Sequence, residues 1–135
     1  MNSKILIADD DYDNRSILKA ALEAAGFQVL EAADGQEAVD TAIQERPRLI
    51  FMDLSMPKIS GWEATQRIRQ IPEISRTFIF AFTAHALQGD EIKAKAAGCD
   101  DYISKPCVPR EIVQKVLSII TMGKETEHYG QHPGH

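Results

Sequence analysis

Leu49-Ile50-Phe51-Met52-Asp53-Leu54-Ser55-Met56-Pro57 is an apolar run that closes on a carboxylate and then meets a proline-bearing loop. A strand this apolar is covered on both faces, as in parallel sheets, so Asp53 is expected at the rim of a sheet. Two further apolar runs end in reactive groups: Ile5-Leu6-Ile7-Ala8 meets Asp9-Asp10-Asp11, and Phe78-Ile79-Phe80-Ala81-Phe82 meets Thr83. A short run, Tyr102-Ile103-Ser104, ends in Lys105-Pro106. If the strands are parallel, acids, a hydroxyl and an amine gather along one rim that can bind a phosphoryl group.

Outward from these runs, apolar stretches alternate with amphipathic ones, the pattern of βαβ units. Strands are predicted at Lys4–Ala8, Phe27–Glu31, Arg48–Met52, Thr77–Phe82 and Asp101–Ser104. The first helix follows an N-cap at Asp11, presents Ile17, Leu18, Ala21, Leu22 and Ala25 on one face, and stops at Gly26. A second spans about Gln36 to Glu45, with Ala38, Val39, Ala42 and Ile43 inward, and a third about Trp62 to Gln70. The fourth covers Ala84–Ala97 before Gly98, and the last opens at Pro109 and runs to about Thr121 with Ile112, Val113, Val116, Leu117 and Ile120 inward. From Gly123 the sequence GKETEHYGQHPGH has no periodicity, so a domain over 1–122 and a disordered tail over 123–135 are expected. Five strands alternating with five helices give a single doubly wound α/β sheet; right-handed crossovers leave few topologies, and the order expected is 2-1-3-4-5, that of the flavodoxin-like class. Ligands bind such sheets at the carboxyl ends of the strands.

At 135 residues, with 44% hydrophobic and 26% charged, the chain suits one globular domain. A net charge of -5 argues against direct nucleic-acid binding, which needs basic residues to neutralise phosphates. No apolar stretch is long enough to span a bilayer, and the first residues do not read as a signal peptide. Cys99 and Cys107 make no disulfide framework, so a reduced cytoplasmic setting is expected.

Strand order 2-1-3-4-5 brings Asp9, Asp10 and Asp53 together, with Thr83 adjacent and Lys105 in reach. Two carboxylates about 4 Å apart repel by roughly 4 kcal/mol at an effective dielectric near 20. A divalent cation relieves this, and an all-oxygen donor set favours Mg²⁺ or Mn²⁺ over zinc. Asp53 can then act as a nucleophile toward phosphorus, with Lys105 and Thr83 contacting phosphoryl oxygens. Each residue alone has an ordinary reading as a solvated carboxylate, cap, strand residue or surface lysine. Their coincidence at successive strand ends is the specific signal.

Asp9-Asp10, Asp53 with Met56-Pro57 and Gly61, Thr83-Ala84 and Lys105-Pro106 resemble the receiver domain of two-component response regulators, over about Ser3 to Met122. The resemblance implies that Asp53 accepts a phosphoryl group from a phosphohistidine of a sensor histidine kinase or histidine phosphotransfer domain. It implies Mg²⁺ held by Asp10, Asp53 and the backbone carbonyl of Ser55, with Asp9 acting through water. Lys105 would pair with the phosphoryl group, before a cis peptide bond to Pro106. Thr83 and Tyr102 would be switch residues, and the fourth helix, fifth strand and fifth helix would form the output face for a downstream protein. Ser55 and His85 would flank the phosphoryl site. The stretches DDDYDNR, SMPKISGWEATQRIR and TAHALQGDEIKAKAAGCDDYISKP are similar to receivers associated with hybrid kinases. The chain would be a stand-alone or excised receiver rather than an enzyme in the ordinary sense.

Three other classes use related parts. A haloacid-dehalogenase-type phosphatase needs a second Asp two positions after its nucleophile, where this chain has Ser55. A flavin carrier needs a Ser/Thr/Gly-rich loop where Asp9-Asp10-Asp11 stands. A phosphorylation-independent docking module would not require the complete acid set. His128, His132 and His135 lie among Gly and Pro with no acidic or Cys partner and are not expected to bind metal.

Overall fold

The computed structural model describes residues 3–83, 90–105 and 108–130, with side chains for 3–83, 91–105 and 108–121. Five strands, β1 (Lys4–Ala8), β2 (Gln28–Ala32), β3 (Leu49–Asp53), β4 (Phe78–Thr83) and β5 (Asp101–Ser104), alternate with five helices. These are α1 (Tyr12–Ala24), α2 (Gly35–Glu45), α3 (Gly61–Arg69), α4 (Asp90–Ala97) and α5 (Pro109–Gly130). All strands pair in parallel in the order β2-β1-β3-β4-β5, the expected doubly wound sheet.

Because side chains alternate along a strand, the central strands feed two cores. Leu6, Ile50, Met52, Ile79 and Ala81 pack with Ala38, Val39, Ala64, Ile68 and Ala94 of α2, α3 and α4. Ile5, Ile7, Leu49, Phe51, Phe80 and Ile103 pack with Leu18, Leu22, Ile112 and Val116 of α1 and α5. The Phe51 and Phe80 rings stack there at 5.0 Å between centroids. The same alternation decides the rim. Asp9 follows Ile7, Asp53 follows Phe51, and Lys105 follows Ile103, so all three carry on the α1/α5 side of the sheet.

Helix starts are set by side-chain caps. Asp11 accepts from the amides of Asp13 and Asn14 at 2.9 and 3.1 Å, as expected. Asp34 and Ser60 do the same for Glu37 and Glu63 at 2.8 and 3.3 Å. Gly26 and Gly98 follow α1 and α4 at φ values of 98° and 114°, in the left-handed region where glycine is unstrained.

Some expectations are corrected. Ile17, Ile43 and Leu117 are 58%, 47% and 46% exposed rather than inward, and Ala25 is exposed too. They sit at the margins of apolar stripes whose centres, Leu18, Ala42 and Val116, fill the space under each helix. The last helix continues through Gly130 instead of ending near Thr121. Lys124, Glu125 and Glu127 are good helix formers, and an interior glycine costs only about 1 kcal/mol. Ala84, His85, Pro106, Cys107, His132 and His135 lie outside the described residues, as does the side chain of His128. Among the described residues, no helix is long and apolar enough to cross a membrane.

Candidate functional site

The carboxyl ends of β1, β3 and β5 open onto a cavity of about 250 Å³ lined by Asp9, Asp10, Asp11, Asn14, Asp53, Ser55 and Lys105. The register explains the gathering. Ala8 pairs with Met52, and Asp53 with Phe82, so Asp9 and Asp53 emerge side by side at the sheet's edge. The backbone amide of Lys105 donates to the carbonyl of Thr83 at 2.8 Å, which extends the β4–β5 pairing and holds the lysine at the same level.

Lys105 Nζ donates to Asp9 Oδ2 at 2.6 Å and to Asp53 Oδ2 at 3.1 Å. Its ammonium also lies 4.9 Å from the centroid of the Phe82 ring, within cation–π range. The lysine, Asp9 and Asp53 side chains are 10%, 1% and 7% exposed. The other oxygens of the acid pair are taken by loop amides: Asp11 donates to Asp9 Oδ1 and Ser55 to Asp53 Oδ1, each at 2.9 Å. Ser55 therefore positions Asp53 through its amide as well as lining the cavity.

Burial pushes the Asp53 carboxyl above the usual carboxylate range, and the nearby Asp9 adds to this; the Ser55 amide and the Lys105 charge offset only part. For Lys105, burial acts to lower the amine, but the Asp9 hydrogen bond and the Asp53 charge outweigh it and raise the pKa.

Gly61 is what lets α3 start against the acceptor strand. A Cβ there would sit 2.1 Å from the Asp53 carbonyl oxygen. The Gly61 amide instead donates to the Leu54 carbonyl at 3.2 Å. Lys58 in the same loop takes a φ of 65°, and its ammonium lies 3.4 Å from Asp34 Oδ2. That contact ties the β3–α3 loop to the start of α2.

Asp9, Asp10 and Asp53 each offer an oxygen within 4.8 Å of the others. Three carboxylates against one lysine leave a net charge of about −2 (1 − 3), and an all-oxygen set of this kind suits a hard divalent cation. The donor chemistry thus fits magnesium or manganese, with Asp10 the exposed member.

Thr83 and Tyr102 stand apart from this group. Thr83 is 2% exposed at the end of β4, on the opposite parity from Phe82, and does not line the cavity. Tyr102 is half-buried against the α2–α3–α4 core. Two residues not singled out in the sequence also belong to the site. Asn14 lines the cavity, and Arg15 Nη1 donates to the Asp9 carbonyl at 2.6 Å. For Asn14 the signal was its place in the first turn after the Asp11 cap, where a side chain faces back toward the strand end; the Arg15 contact, made to a backbone carbonyl, had no such mark.

The response regulator receiver domain model matches residues 5–117. The chain is 37% identical over 113 residues to the polar-differentiation response regulator DivK of Brucella anthropi, covering 83% of this chain and 92% of that protein. The receiver domain of the sensor histidine kinase PA1611 from Pseudomonas aeruginosa, solved with a magnesium ion coordinated in its active site cleft, is similar at 37% identity and a TM-score of 0.78. That similarity covers 87% of this chain and 95% of that one. The chemotaxis protein CheY4 of Vibrio cholerae is similar at 28% identity and a TM-score of 0.82, over 88% of this chain and 99% of that one. The chain belongs to the response regulator receiver domain family, a family of signalling domains.

Proposed function

We propose that this receiver accepts a phosphoryl group from a phosphohistidine onto Asp53. The observation that carries the reading is the Asp53 carboxylate, held between the Ser55 amide and the Lys105 ammonium at the mouth of an acidic cavity. An Asp53 oxygen forms the new P–O bond while the P–N bond of the donor breaks, and the departing imidazole nitrogen keeps the electron pair. Lys105 follows the charge from Asp53 Oδ2 to a phosphoryl oxygen, with Asp9 retaining its other contact. Magnesium or manganese, held by Asp10, Asp53 and the Ser55 carbonyl with Asp9 acting through water, would supply charge neutralisation for the incoming group.

The partners on this reading are a sensor histidine kinase or a histidine phosphotransfer domain, and a downstream protein meeting the α4–β5–α5 face. Thr83 and Tyr102 act as the switch between the acceptor site and that face, biasing two packings of one domain. The domain proper spans 1–122, with α5 running on past it to Gly130, and works in the cytoplasm. It performs its own phosphoryl transfer and a slow loss of the phosphoryl group rather than turnover of a free substrate. Ser55, where a dehalogenase-type phosphatase needs its second acid, supports holding the group over hydrolysing esters.

Intact mass after incubation with acetyl phosphate and Mg²⁺ tests the reading. One added phosphoryl group is expected, absent in EDTA and absent in Asp53→Asn. An adduct that survives Asp53→Asn removes the assignment, and continuous phosphate release from unrelated esters favours the phosphatase.

A further inference from the structure

Arg15 makes contacts beneath the acidic cavity that the phosphoryl chemistry does not itself use. Nη1 donates to the backbone carbonyl of Asp9 at 2.6 Å, and Nε donates to Glu31 Oε1 at 3.2 Å. The guanidinium lies 5.6 Å from the centroid of the Tyr12 ring, within cation–π range, and the side chain is 13% exposed. Lys19 holds the second Glu31 oxygen at 3.2 Å, so the carboxylate that orients Arg15 is itself fixed.

The Asp9 backbone shows what this accomplishes. Its amide donates to the Ala32 carbonyl at 3.0 Å, continuing the β1–β2 pairing. Its carbonyl lies past the last β1–β3 pair, Ala8 with Met52, and is taken by Arg15 instead. A peptide group is planar, so pinning that oxygen fixes the Asp9–Asp10 plane and the direction in which Asp10 leaves the strand.

We infer that Arg15 is a positioning residue, which sets the Asp9–Asp10 backbone so that the Asp10 carboxylate stays beside those of Asp9 and Asp53 for a divalent cation. This rests on the reading of that cluster as the metal site. The sign of the effect on Mg²⁺ affinity separates positioning from simple electrostatics. As a bare positive charge Arg15 would oppose a second cation, and its removal would tighten Mg²⁺ binding. As a positioning residue its removal weakens binding, because Asp10 loses its fixed origin.

Mg²⁺ affinity by isothermal titration calorimetry decides between the signs, using the wild type, Arg15→Met, Arg15→Lys and Asp10→Asn at constant ionic strength. Loss of a group that orients metal ligands costs about 10-fold in affinity or more, so Arg15→Met is expected to bind about 10-fold more weakly. Arg15→Lys keeps one donor for the carbonyl and recovers part of the loss. Asp10→Asn loses most binding. Glu31→Gln, which releases the guanidinium without deleting it, serves if Arg15→Met does not fold, and a smaller weakening is expected. Arg15→Met or Glu31→Gln binding Mg²⁺ as tightly as the wild type, while Asp10→Asn does not bind, overturns the positioning role alone. A wild type that binds no Mg²⁺, or an Asp10→Asn variant that binds normally, overturns the metal site and this inference with it.

Discussion

Replacing Lys105 by Met removes the only described cation in contact with both Asp9 and Asp53 while keeping much of the side chain's volume. Its ammonium stands 2.6 Å from one carboxylate and 3.1 Å from the other. At about 3 Å and an effective dielectric near 20, each contact is worth roughly 5 kcal/mol before desolvation. The net loss is smaller, because the amine no longer has to be buried and one carboxyl can take up a proton. Breaking a buried pair from one side costs about 3–5 kcal/mol, and the lower end applies where the site opens to a cavity. Urea unfolding at neutral pH in EDTA should therefore show Lys105→Met about 3 kcal/mol less stable than wild type. The deficit should narrow in Mg²⁺, which replaces the missing positive charge, and again in mild acid, where a carboxyl is protonated. A variant within about 0.5 kcal/mol of wild type in EDTA, the scatter of ordinary surface changes, would refute the idea that Lys105 compensates a buried acid pair. So would a deficit that Mg²⁺ leaves untouched.

Asp53→Asn should stabilise the fold at neutral pH. Burial, joined by Asp9, raises the Asp53 carboxyl, so its contribution is present below the unfolded value and is lost as pH rises through the higher folded value. The amide escapes that loss, and the gain over wild type should vanish in acid; a thermal melt series across pH that shows a constant gap would contradict this. Lys105 carries the opposite charge and a raised pKa, so its stabilisation is full below the ordinary lysine value and fades as pH climbs through the raised one, which unfolding curves in alkaline buffer would reveal. Gly61→Ala places a Cβ 2.1 Å from the Asp53 carbonyl; a loss of about 3 kcal/mol is expected from backbone displacement, together with slower acquisition of the phosphoryl group, and near wild-type values for both would show that α3 yields easily. Asp11→Ala removes the acceptor for two α1 amides and should cost about 1 kcal/mol by urea unfolding; no change would mean that water caps the helix equally well.

The strand-end carboxylates were readable because apolar runs in a parallel sheet are long, uninterrupted and stop at the rim. Leu49 to Asp53 therefore located both a central strand and its reactive end. Right-handed crossovers of βαβ units leave only a few pairing orders; the known doubly wound order 2-1-3-4-5 is one of them, and it is that order which brings Asp9, Asp53 and Lys105 together. Thr83 was harder. It ends an apolar run as Asp53 does, but its parity differs from that of Phe82, and no single run reveals which parity faces the cavity. The caps at Asp34 and Ser60 each precede a Glu by three residues, as capping boxes do, so that signal was present in the sequence. Arg15 was not legible, because its role is to a backbone carbonyl, and neither charge nor spacing marks which carbonyls a ladder leaves over. Nor was the left-handed Lys58, whose conformation is imposed by the loop closing onto α2 rather than by its own preference. Ile17, Ile43 and Leu117 show the limit of periodicity: it finds a stripe, while the width that is covered depends on neighbouring elements.

Reductive trapping identifies the acceptor itself. The protein is incubated with a phosphorylated histidine phosphotransfer domain and Mg²⁺, treated with borohydride, which converts an aspartyl phosphate to homoserine, and mapped by peptide mass spectrometry. Homoserine in place of Asp53, and its absence when Mg²⁺ is chelated, is the expected result. Homoserine in place of Asp9 or Asp10, or an unmodified Asp53 in protein that has gained the phosphoryl group, would contradict Asp53 as the residue that holds the signal.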